Sequence, residues 1–168
     1  QAEDRRDQCH LDAASQLRTA KSWERNYDGS IRAASTSLTT ADGLSTTTTN
    51  DADGDGDTDS VVTGVTVRNG DGSATHTDTV QNADGSQRSR IVTTVSADGL
   101  TERVESDVQG NTAVDIITVD QLVKNADGSS IRTATVLAGD GKTLLSKSVT
   151  TESADRLTKT VVIDDNGD

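Results

Sequence analysis

Hydrophobic positions are thinly spread along this chain. They fall in short stretches of Val, Ile, Leu and Thr, separated by Asp-Gly turn signals about every 13 to 15 residues. The stretches Arg90 to Ser96, Ala113 to Val119, Ile131 to Leu137 and Thr158 to Ile163 are rich in β-branched residues and contain no proline, so each predicts a strand. Asn-Ala-Asp-Gly between such stretches suits a type I turn closed by a glycine at positive φ, a short hairpin loop with a bulge. Alternation is imperfect: Ala74 to Val80 reads Ala-Thr-His-Thr-Asp-Thr-Val, with Thr on one face and mixed residues on the other. The first 25 residues depart from the pattern. Ala2 to Ala14 is expected as a short capping helix and Gln16 to Arg25 as a degenerate strand.

The turn markers recur in a fixed order. Asn69-Gly70-Asp71-Gly72-Ser73 returns 56 residues later as Asn125-Ala126-Asp127-Gly128-Ser129. Asn26-Tyr27-Asp28-Gly29-Ser30 returns at the same distance as Asn82-Ala83-Asp84-Gly85-Ser86, then loosely as Ala138-Gly139-Asp140-Gly141-Lys142. Ala41-Asp42-Gly43-Leu44 returns as Ala97-Asp98-Gly99-Leu100 and, one residue late, as Ala154-Asp155-Arg156-Leu157; a fourth marker starts at Asp51, Asp107 and Asp164. A period of this size predicts a stacked repeat architecture. The expectation is an all-β chain of tandem antiparallel hairpin repeats, about 56 residues and four strands each, stacked into an elongated array or a β-solenoid-like fibre segment. Residues 1–25 form a cap or degenerate repeat, 26–81 the first repeat with an acidic loop, and 82–137 the second. Residues 138–168 form a partial third repeat, expected to continue beyond this sequence or into the next subunit.

Composition narrows the picture. Of 168 residues 30% are hydrophobic; Phe, Met and Pro are absent, and Trp23 and Tyr27 are the aromatics. Any core is therefore thin and built from Val, Ile, Leu and Ala, which argues against an enzyme with a deep apolar pocket. One repeat buries too little to stand alone, so neighbours complete its core. There are 23 Asp but 5 Glu, with 26 Thr. Asp favours turns and is a hard oxygen ligand for calcium. A net charge of −12 repels nucleic acid and anionic membranes, and no apolar run is long enough to span a bilayer.

The segment with chemistry in it runs from Asp51 to Asp59. Asp51, Asp53, Asp55, Asp57 and Asp59 occupy positions 1, 3, 5, 7 and 9 of a loop with Gly56 at position 6. Calcium takes six to eight oxygen ligands, and alternating side chains on a tightly turning loop can converge on one ion. Five carboxylates in nine residues repel one another unless a cation joins them. Asp164, Asn166 and Asp168 keep positions 1, 3 and 5 of the last such loop. Asp107, Asn111 and Asp115 keep positions 1, 5 and 9 of the middle one, which has Gln109 at position 3, no Gly at position 6 and a vestigial look. The metal candidates are therefore Asp51, Asp53, Asp55, Asp57, Asp59, Asp164, Asn166 and Asp168, with Ca²⁺ as the expected ion. No catalytic constellation is expected: Cys9 and His10 cannot form a closed zinc site, and His76 with Asp78 is better read as a surface strand.

The acidic segment resembles the calcium loop of EF-hands, dockerins and integrin-type propeller repeats. Val62 stands where an EF-hand has its bidentate Glu and neither flank looks helical, so a β-framed loop is the closer match. From about residue 26 on, the tandem Asn-Ala-Asp-Gly-Ser hairpins, Ser-Ala-Asp-Gly-Leu turns and Asp-x-Asp-Gly-Asp-Gly loop resemble the large calcium-binding surface adhesins that bacteria export by type I secretion. The RTX nonapeptide is absent. The resemblance implies a structural segment of an extracellular or bacterial cell-surface protein, calcium-stabilised and associating end to end with itself. The alternative is an adhesive module that recognises a glycan or host surface through its loops.

Overall fold

A computed structural model describes residues 4–12 and 16–167 of the chain, with backbone alone for residues 4–6. Among the described residues the protein is all-β. The strands are β1 (Asp4–Leu11), β2 (Arg18–Arg25), β3 (Ile31–Thr39), β4 (Ser45–Asp51), β5 (Ser60–Arg68), β6 (Ala74–Asn82), β7 (Gln87–Val95), β8 (Thr101–Asp107), β9 (Ile116–Lys124), β10 (Ser130–Ala138), β11 (Leu144–Glu152) and β12 (Lys159–Asp164). They form one open antiparallel sheet whose order is the order of the sequence. The strands β4, β8 and β12 end at Asp51, Asp107 and Asp164, the residues that open the three acidic loops. Over its described residues the helix expected from Ala2 to Ala14 is not formed: β1 runs through its middle and pairs with β2 from Asp4↔Arg25 to Leu11↔Arg18, and the ends of that span lie outside the described residues. A neighbouring strand supplied the ladder that local propensity alone could not reveal. The strand expected from Ala113 begins at Ile116, because residues 113–115 still belong to an acidic loop.

The turns explain the choice of acid. In Asn26 to Ser30, Asp28 Oδ1 accepts the backbone N–H of Ser30 at 2.9 Å and its hydroxyl at 2.7 Å, while Asn26 Nδ2 donates to that hydroxyl at 3.0 Å. Gly29 closes the turn at φ +87° and donates to the Asn26 carbonyl at 3.0 Å. The turns at Asn69, Asn82 and Asn125 repeat this arrangement. A second kind starts with a hydroxyl. Thr40, Ser96 and Ser153 each donate to the Asp two residues on, at 2.6 Å, and accept a backbone N–H five residues on, at 2.9 to 3.0 Å. A carboxylate on one methylene reaches the N–H two residues ahead. Glu, one methylene longer, does not present it there, which accounts for the excess of Asp.

The chain divides into two units, Gln1–Thr66 with Thr77–Ser89 and Val67–His76 with Arg90–Asp168. In the first, directly opposed residues on one face join through hydroxyls: Ser22 with Ser35 at 2.9 Å, Ser37 with Thr48, Thr39 with Thr46 at 3.2 Å, and Asn50 Nδ2 to Ser60 at 3.3 Å. Cross-strand pairs of this kind contribute a few tenths of a kcal/mol each, about as much as modest apolar pairs. In the second, a row of opposed residues passes through Val92, Glu105, Ile117, Leu137 and Leu144. Ile117 is 3% exposed, and a Cβ on Gly141, in the turn between β10 and β11, would stand 3.6 Å from its Cδ1. It is the one buried hydrophobic side chain among the described residues. The thin core expected from composition is thinner still.

The turn carboxylates of Asp28, Asp42, Asp71, Asp84, Asp98, Asp127, Asp140 and Asp155 are all held below the ordinary Asp value, first by the hydroxyl donated to each and then by the backbone N–H. A depressed folded value contributes stability that is complete above the unfolded value, ~3.9, and drains as pH falls through the lower folded value. The melting temperature is therefore expected to hold level above about pH 5 and to fall steeply towards pH 3. Thermal melts across that range check this; a level profile down to pH 3 would contradict the role given to the turns.

Candidate metal centre

The three acidic loops share a backbone plan. In the first, Asp51 Oδ1 accepts the N–H of Gly54 at 2.6 Å and Oδ2 that of Gly56 at 3.1 Å. Asp59 Oδ2 reaches back to the N–H of Ala52 at 2.6 Å, and the N–H of Asp59 bonds the Asn50 carbonyl at 2.8 Å. In the middle loop, Asp107 does what Asp51 does, accepting Gly110 N–H at 2.7 Å and Thr112 N–H at 2.8 Å. Asp115 repeats Asp59, accepting Val108 N–H at 2.8 Å. In the last loop Asp164 Oδ1 accepts Asn166 N–H at 3.2 Å and Gly167 N–H at 2.8 Å. Position 1 is thus first of all the organiser of its loop.

The glycine on which the loop depends most is at position 4. A Cβ on Gly54, at φ +79°, would stand 2.2 Å from the Ile31 carbonyl oxygen; one on Gly167, at φ +72°, would stand 2.3 Å from that of Leu144. Each loop folds back onto the start of a strand that only a bare Cα allows. Gly110 holds the corresponding place in the middle loop at φ +70°. At position 6, expected to carry the sharp turn, Gly56 has φ +95° and a Cβ there would meet nothing within 4 Å. The middle loop, with Thr112 there, still adopts φ +70°. The signal that could have found position 4 was the glycine common to all three loops, at 54, 110 and 167.

One oxygen from each of Asp51, Asp53 and Asp59 lies within 4.8 Å of the others. Asp55 and Asp57 are outside this group; Asp55 Oδ1 instead accepts the N–H of Asp57 at 2.8 Å. Asp164 and Asn166 stand two residues apart in the last loop, and Asp168 lies outside the described residues. Three carboxylate oxygens that close repel by about 1 kcal/mol per pair even in water, and a hard divalent cation between them reverses the sign. The middle loop places an amide where the first has a third carboxylate. Gln109, at position 3, donates its Nε2 to Asp115 Oδ1 at 3.1 Å, a neutral donor in the place that Asp53 holds in the first loop.

Chemistry elsewhere is sparse. Cys9 is exposed on β1, and His76 and Asp78 lie along β6. No helix among the described residues is long and apolar enough to cross a membrane. No family model matches the chain, and neither the curated proteins nor the solved structures include a match to it.

Two substitutions test the loop plan. Gly54→Ala is expected to destabilise by ~3 kcal/mol, because its Cβ meets backbone that cannot move aside, whereas Gly56→Ala costs about 1 kcal/mol of backbone strain. Thr112→Gly is expected to stabilise by about 1 kcal/mol, since it relieves a β-branched residue at positive φ and keeps the N–H that Asp107 uses. Urea denaturation of the three variants checks the order; equal costs at Gly54 and Gly56 would refute the close approach.

Proposed function

We propose that this chain is a structural repeat segment of an extracellular or cell-surface protein, calcium-stabilised through the loop of Asp51, Asp53 and Asp59, and joined end to end with further copies or repeats. The observation that carries this reading is the near absence of an interior. Ile117 and Asp107 are the buried residues among those described, so the strands add sideways with almost no packed core behind them. The acidic loops follow every fourth strand, in keeping with a repeat of about 56 residues that extends by stacking. Along β12, Val161, Val162 and Ile163 are 50 to 63% exposed, apolar surface that a neighbouring repeat or subunit would cover. The first loop supports calcium by its convergent carboxylates and by contrast with the middle loop, where an amide replaces one of them. Backbone carbonyls and water would complete a shell of six to eight oxygens.

Calorimetry is expected to show about one calcium per chain with a dissociation constant of roughly 10⁻⁴–10⁻³ M, the range of extracellular modules. Asp53→Ala with Asp59→Ala is expected to abolish the heat, and Gln109→Asp to add a second site. Absence of heat at ~10 mM calcium would remove calcium from the proposal. Electron microscopy and light scattering of the purified chain in millimolar calcium test the assembly: end-to-end chains support it, and strictly monomeric particles at high concentration refute it.

A further inference from the structure

A cleft of about 310 Å³ lies between β1 and β2, lined by Gln8, His10, Thr19 and Lys21. The register explains why these four meet. Gln8 is opposite Lys21 and His10 is opposite Thr19, so all four stand on one face of the sheet. Their Cβ atoms mark the corners of a patch of about 5 by 7 Å, set by the strand spacing and the two-residue repeat. Every one of the four can donate a hydrogen bond: an ammonium, an imidazole, an amide and a hydroxyl. None of these side chains has a hydrogen bond or ion pair to another protein group among the described residues. Asp7 and Glu24 fall on the opposite face by alternation, and Asp12, just past the end of β1, has an interaction of its own.

The charge of the chain is also uneven in the sense this site requires. Residues 1–25 carry five Lys or Arg and five Asp or Glu, so the net −12 arises entirely from residues 26–168. With a Debye length of ~8 Å in physiological salt, an ion at the cleft feels chiefly its immediate surroundings, where Lys21 lines the cleft and Asp12 lies just past the end of β1.

We propose that this cleft binds an oxyanion, a sulfate, phosphate or carboxylate group, presented either on an anionic saccharide or as the free ion. A pocket near 300 Å³ is at the small end of ligand sites, enough for one such group with part of the sugar ring that carries it. Lys21 supplies the charge, Gln8 and Thr19 supply directional donors, and His10 adds a donor and, when protonated, a second positive charge.

Titration of the whole chain with inorganic sulfate, inorganic phosphate and a sulfated hexasaccharide, followed by NMR or calorimetry, tests the site. Saturable binding is expected for at least one probe, with shifts at Gln8, His10, Thr19 and Lys21. Tighter binding of the hexasaccharide identifies the saccharide as the source, and equal binding of sulfate identifies the free ion. Lys21→Ala and His10→Ala are each expected to weaken binding about tenfold, the loss typical of a charged hydrogen bond, while Lys124→Ala on β9 leaves it unchanged. Circular dichroism verifies that each variant is folded, and Gln8→Ala, at an exposed position, is the reserve if one is not. Failure of all three probes to bind overturns the proposal. So does an equal loss in Lys124→Ala, which would mean diffuse attraction to positive charge.

Discussion

A carboxylate on a single methylene, accepting the backbone N–H two residues ahead, is the interaction on which this fold rests. It closes the hairpins at Asp28, Asp71, Asp84 and Asp127 and, with a hydroxyl at the front, those at Asp42, Asp98 and Asp155. The turns fix where one strand ends and the next begins, and hence the register of the ladders between them. Because each carboxylate works in water, the scaffold tolerates a high negative charge without burying it.

The strands themselves ask little of hydrophobic burial. In a sheet with almost no interior, cross-strand Ser and Thr pairs and the ladder hydrogen bonds take the place of side-chain packing. Such pairs are individually weak, so stability accumulates with strand number. That additivity suits an element that lengthens by repetition.

The acidic loops apply the same carboxylate chemistry to a longer excursion of the chain. Asp51 and Asp107 organise their loops alike, yet Asp53 adds negative charge to the first while Gln109 adds a donor to the middle one. One side chain at position 3 thus separates a loop with reason to recruit a cation from one that satisfies itself. Asp107, 4% exposed, is supported by N–H groups from Gln109, Gly110 and Thr112, enough donors for a carboxylate to remain buried.

Local chemistry made much of this legible in the sequence: the hairpin turns, the β class and the acidic loop at Asp51 all follow from residues within a few positions of one another. The strand at β1 was not legible, because Asp4 to Leu11 is held by pairing with β2 and carries no Asp-Gly turn to announce it. Nor was the reason for Gly139 in the loose third marker: a Cβ there would stand 1.7 Å from the Val114 carbonyl oxygen, so a glycine is required by a loop 25 residues earlier. The convergence of Asp59 with Asp51 and Asp53, the fold-back at Gly54 and the meeting of His10 with Lys21 have the same origin. The sequence by itself determined what each turn does, because a turn is closed by its own atoms. Which surfaces touch was decided by the tertiary structure, because contact depends on where other strands place their backbones.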